Sequence, residues 1–127
     1  MKKEIISTDK APKAIGPYSQ GVKAGGFLFL SGAIALDPVT GEICPGGIEA
    51  ETELVMNNIA ALLEAAGVGF AEVVKTVIYL ADLKDFAVVN AIYGSRFAAQ
   101  PPARVTVQAA GLPRGALVEI EVTAWCG

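Results

Sequence analysis

A helix bracketed by two strands sets the terms on which this chain can fold. Over residues 48–66 the apolar side chains Leu54, Val55, Ile59, Leu62, Leu63 and Ala66 recur at three- and four-residue spacing, and Gly67 follows as a C′ residue. The apolar run at residues 27–31 precedes this helix, and a run rich in β-branched residues at 73–80 follows it. A strand, helix, strand unit brings its second strand back parallel to the first through a right-handed crossover. The rest of the chain has to build on that unit.

Before it, the segment through Gly16-Pro17 reads as a short strand and an irregular turn, and residues 19–24 and 27–31 flank Gly25-Gly26, a pair suited to a tight hairpin turn. Asp37-Pro38-Val39-Thr40-Gly41 reads as a loop. After it, Phe86, Val89, Tyr93 and Phe97 predict a second helix over residues 83–97, which must end before Pro101-Pro102. Strands at 103–109 and 116–124 complete the order βββαβαββ, and the short link Gly111-Leu112-Pro113-Arg114-Gly115 by itself would make them a hairpin. The pattern predicts a single α+β domain over residues 1–127 with two helices on one face of the sheet. The other face is left for water or a second subunit, and since 53% of the residues are hydrophobic the second is expected.

Composition closes off several kinds of chemistry. Histidine is absent, so Ser-His and Cys-His nucleophile pairs are excluded and the commonest nitrogen ligand for zinc is missing. Net charge is −3 and the ten Lys and Arg are scattered, which disfavours nucleic-acid binding. No apolar run reaches the roughly 18 residues of a membrane span, and no h-region follows the basic start Met1-Lys2-Lys3, so a cytoplasmic location is expected. Cys44 and Cys126 are expected to be free thiols. Neither Gly25-Gly26 nor Gly46-Gly47 belongs to a phosphate-binding fingerprint.

What remains for catalysis is carboxylate, guanidinium, hydroxyl and main chain. In the last strand Glu119, Glu121 and Thr123 alternate with Val118, Ile120 and Val122, so both carboxylates share a face. In the strand before, Arg104, Thr106 and Gln108 alternate with Val105 and Val107 to give a second polar row that carries a cation. Arg104 follows Gln100-Pro101-Pro102-Ala103, whose prolines stiffen its approach, and guanidinium is the group best shaped to grip a carboxylate. Ser31-Gly32, at the end of a strand, is a place where main chain could approach a small ligand. On pattern alone, solvated charges on half-exposed strands are the favoured reading of these rows.

Taken together, the segments resemble the Rid/YjgF family. The likeness rests on Ala14-Ile15-Gly16-Pro17-Tyr18-Ser19-Gln20, Leu30-Ser31-Gly32, Asp37-Pro38 with Thr40-Gly41-Glu42, and Val74-Lys75-Thr76. It continues through Asp85-Phe86-Ala87-Val88-Val89-Asn90 to Tyr93, Pro102-Ala103-Arg104, and Leu112-Pro113 with Glu119-Ile120-Glu121. The resemblance implies a chorismate-mutase-like sandwich, a mixed six-stranded sheet with residues 116–124 between the strands at 27 and 73, and a homotrimer. It also implies cofactor-free hydrolysis of 2-imino acids such as 2-iminopropanoate and 2-iminobutanoate to 2-keto acids, in clefts between subunits. There Arg104 would hold the substrate carboxylate and Glu119 would position water, with Tyr18, Ser31, Gly32, Asn90 and Thr106 lining the site. Ala33 and Val105 depart from the pattern, standing where many deaminating members carry Gln and Ser. The alternatives are an endoribonuclease or translation inhibitor, and a non-catalytic trimer that binds small carboxylates.

Overall fold

The computed structural model describes residues 2–127. Among these, six strands, β1 (Glu4–Ile6), β2 (Gly21–Ala24), β3 (Phe27–Leu30), β4 (Val73–Leu80), β5 (Ala103–Gln108) and β6 (Val118–Trp125), form one sheet in the order β1-β2-β3-β6-β4-β5. Two helices, α1 (Gly47–Ala65) and α2 (Phe86–Gly94), pack together on one side of it. Gly25 and Gly26 both take positive φ (59° and 85°), which turns β2 tightly into β3. At the other end of the crossover, α1 closes on Gly67 (φ 81°), whose N–H reaches the Glu64 carbonyl while the Val68 N–H reaches that of Leu63.

β6 is central, antiparallel to β3 on one side and to β4 on the other, so β3 and β4 run parallel as the crossover rule requires. The hairpin that loop length alone suggests for the last two strands does not form, because β5 pairs in parallel with β4 on the far side from β6. The Ala109 N–H bonds the Leu80 carbonyl and the Ala81 N–H bonds that of Leu117. The short link between β5 and β6 therefore crosses the end of β4, and its length says nothing about pairing.

Burial follows the strand period. Leu28 and Leu30 of β3, Ile78 and Leu80 of β4, and Val118, Ile120, Val122 and Ala124 of β6 point into the helix layer, where Val55, Ile59 and Leu63 of α1 meet them. Each fully buried side chain of this size contributes roughly 1.5–3 kcal/mol. The opposite face is open, with Phe27, Phe29, Val105, Val107 and Trp125 between 37% and 48% exposed. Phe27 stacks edge-on against Trp125 with ring centres 5.0 Å apart.

One expectation needs correction. The second helix does not run over 83–97. A 3-10 turn at Leu83–Asp85 leads into α2, which stops at Gly94, where Ser95 Oγ donates to the Ile92 carbonyl. Phe97 lies beyond the helix and packs on Tyr93 and Phe70 instead. The second polar row, Arg104, Thr106 and Gln108, lies on the face of the sheet opposite the glutamates. Parallel pairing sets these residues opposite Thr76, Ile78 and Leu80, on the helix side, and turns Val105 and Val107 to the open face. Alternation tells which residues share a face, but register decides which face that is.

Candidate active site

Glu119 is brought to a cavity by an irregularity in the neighbouring strand. β3 pairs with β6 up to Phe29↔Thr123, a register that would set Gly32 opposite Ile120. Ala33 takes that place instead, exchanging both main-chain hydrogen bonds with Ile120 at 2.8 and 3.0 Å. The extra residue bulges the chain at Ser31 and Gly32 and presses it onto Glu119. A Cβ built on Gly32 would collide with Glu119 Oε2 and stand 3.0 Å from Cδ and 3.2 Å from Cγ. A side chain here could be admitted only if the end of the Glu119 side chain swung aside.

The cavity, about 510 Å³, is walled by Tyr18, Gln20, Ser31, Gly32, Glu119 and Arg114, with apolar surface from Ile15, Ala33, Leu36 and Leu62. Gln20, which sequence reasoning quoted only as part of a motif, organises one side. Its Oε1 accepts from the Thr8 N–H at 2.7 Å, and its Nε2 donates to the carbonyls of Thr8 and Pro12 at 3.0 and 2.6 Å. Those bonds seat Pro12 and Lys13 at the cavity edge. Ser31 Oγ donates to the Ser19 carbonyl at 2.6 Å, and Asn58 Nδ2 on α1 holds the Leu36 carbonyl at 2.9 Å. Burial, and next the charge of Glu121, push the Glu119 carboxyl above the ordinary carboxylate range. A carboxylate so placed is a better base near neutral pH.

Arg104 sits elsewhere. Phe86, Asn90 and Tyr93 fall on one stripe of α2, and Arg104 lies against it. Its guanidinium carbon is 5.5 Å from the Phe86 ring centre and 5.2 Å from that of Tyr93, while Nη1 donates to Asn90 Oδ1 at 2.7 Å. Tyr93 is fixed in turn through a 2.7 Å hydroxyl pair with Thr76. Thr106, two residues along the same strand face, keeps a buried Oγ1 without a hydrogen-bond partner among the described residues.

The seven residues singled out from sequence thus form two groups. Tyr18, Ser31, Gly32 and Glu119 line one cavity, while Asn90 of α2 and Arg104 of β5 are joined on the helix side of the sheet, with Thr106 beside them. Within one chain the two groups do not meet. The Phe86 and Tyr93 rings under Arg104 were missed by sequence reasoning, since helical spacing marks an aromatic only as core. Among the described residues no three His, Cys, Asp or Glu side chains gather to hold a metal ion, and both cysteines are free.

The family model described as Endoribonuclease L-PSP matches residues 8–126. The chain is 50% identical to a RutC family protein of Pyrococcus horikoshii, over 97% of this chain and 98% of the relative. It is 48% identical to the mouse 2-iminobutanoate/2-iminopropanoate deaminase, over 96% and 90% of the two chains. The crystal structure of E. coli TdcF with bound serine superposes with a TM-score of 0.92 at 40% identity, covering 98% of this chain and 99% of the other. The bulge that presses Gly32 onto Glu119 and the helix stripe that braces Arg104 are thus carried by a chain that belongs to the Rid/YjgF family.

Proposed function

We propose that the protein hydrolyses reactive 2-imino acids, 2-iminopropanoate and 2-iminobutanoate among them, to 2-keto acids and ammonia. It does so without a cofactor, in the cytoplasm, as a homotrimer with its sites between subunits. The observation that carries this reading is the half-buried Glu119 carboxylate, held against Gly32 in a cavity that Arg104 of the same chain does not line. Support comes from the relatives. The mouse deaminase is named for these substrates, and serine, the molecule bound by TdcF, carries the carboxylate and nitrogen of a 2-amino acid.

The open sheet face favours association, since Phe27, Phe29, Val105, Val107 and Trp125 leave apolar surface in water. In a closed cyclic trimer each subunit offers its neighbour a different surface from the one it receives. The β5 edge of one subunit, with Arg104, Asn90 and Thr106, then completes the Glu119 cavity of the next. Asn90 and the two rings hold the guanidinium fork ready for a substrate carboxylate.

The chemistry needs little more. A protonated imine is already a strong electrophile. Water held by Glu119 attacks the imine carbon and passes one proton to the carboxylate, giving a carbinolamine. The same proton then goes to the amino nitrogen; the C–N bond breaks and ammonia leaves while the Glu119 carboxylate takes the hydroxyl proton and the C=O bond of the keto acid forms. Tyr18 and Ser31 edge the space in which this happens.

The test is to generate 2-iminobutanoate in place with a pyridoxal-phosphate enzyme and follow the keto acid. Acceleration is expected, and none from a folded protein would contradict the reading. A second reading, endoribonuclease, is favoured by the family model's description and by the names of some solved relatives. It stands behind the first because the chain has no histidine for acid-base work on a phosphodiester and a net charge of −3. RNA binding that falls steeply with salt would bring it forward.

A further inference from the structure

Among the described residues, Glu121 is an acidic neighbour of Glu119 that the chemistry above leaves unused. The two carboxylates project from the same face of β6, two residues apart. β4 lies alongside with Tyr79 opposite Glu119 and Val77 opposite Glu121. From its place beside Glu119, Tyr79 reaches diagonally and its hydroxyl donates to Glu121 Oε1 at 3.0 Å. That bond keeps the Glu121 carboxylate on the strand near Glu119, although Glu121 itself is exposed.

We propose that Tyr79 and Glu121 are a positioning pair that holds a fixed negative charge beside Glu119 and so sets the pH at which Glu119 becomes available as a base. The proposal rests on the reading of Glu119 as the water-orienting carboxylate and adds to it a means of adjustment. The three groups influence one another consistently. Glu121 is the charge that raises the Glu119 carboxyl, after burial, and the Tyr79 hydroxyl is raised first by its bond to Glu121, then by that residue's charge, by burial and by Glu119. The other titratable groups around Glu119 are Tyr18, Lys13 and Arg114 on the cavity wall and Lys75 further along β4 on the same face. Of these, the Arg114 guanidinium is turned to the Gly41 carbonyl and Glu42.

The test uses the intact protein in its native assembly, with Glu119 followed by carboxyl carbon NMR and imine turnover followed against pH. Glu121→Gln should move the Glu119 midpoint down, because it removes a like charge from the same strand face. The acid limb of kcat/KM should move with it. Tyr79→Phe, which frees Glu121 without removing it, should move both in the same direction by less. An unchanged Glu119 midpoint in Glu121→Gln overturns the pair. Absence of imine turnover in the unaltered protein would instead overturn the functional reading, and the NMR titration would still decide whether Tyr79 and Glu121 act on Glu119.

Discussion

Arg104 and Glu119 stand on opposite faces of one sheet, on the two strands that flank β4. No side-chain rotation brings them together, because the sheet itself lies between. Either they serve different ends or the site that uses both is made by two copies of the chain. On the second account Arg104→Ala removes charge-assisted hydrogen bonds worth roughly 1.5–3 kcal/mol, and imine turnover should fall at least about tenfold. Arg104→Lys should recover little, since an ammonium lacks the flat fork that lies over Phe86 and Tyr93. Steady-state kinetics on the folded variants checks this.

Gly32→Ala isolates the close approach at the bulge. The added methyl collides with Glu119 Oε2, so the carboxylate must turn away. The exposed position of Gly32 allows the fold to absorb the change. Turnover should drop by about tenfold or more while Tm moves only a few degrees, a split that thermal melts and kinetics on the same sample would show.

Much of this architecture was legible in the sequence, for identifiable reasons. α1 announced itself through its 3.6-residue period and Gly67, and β4 through its β-branched run, since each signal is local. The place of β6 was not local. Its short link to β5 suits a hairpin as well as a step across the end of β4, and only the family resemblance chose between them. At the site, the residue types of Glu119 and Arg104 were readable, but the face that Arg104 occupies depends on its register with Thr76. Gln20 went unassigned because its partners are main-chain groups of an irregular segment, which no side-chain pattern reveals.

That buried glutamine gives a stability prediction. Gln20→Ala strands the Thr8 N–H and the carbonyls it satisfies, in a position only 7% exposed. The loss should be about 1–3 kcal/mol, seen as a lower denaturation midpoint with unchanged slope. Because the same bonds seat Pro12 and Lys13, KM should rise as well.

Glu119→Gln separates function from stability. A carboxyl raised by burial binds its proton more tightly folded than unfolded, so its ionisation opposes folding once pH exceeds the ordinary carboxylate value. The penalty grows through the window up to the raised folded value and is constant above it. The neutral amide of the variant carries no such charge, so the variant should melt higher at pH 7–8, with the advantage vanishing as pH falls below the ordinary carboxylate range. Turnover should drop by about a hundredfold. Calorimetry across pH checks the sign.

Subunit complementation tests the central claim most directly. Arg104→Ala chains keep Glu119, and Glu119→Gln chains keep Arg104, so neither homotrimer holds a complete site. When the two are unfolded together and reassembled in equal amounts, a site between neighbours is complete in about one case in four, and turnover should recover to about a quarter of the unaltered protein. Verified mixed assemblies no more active than their parents would contradict a site built from Glu119 of one subunit and Arg104 of the next.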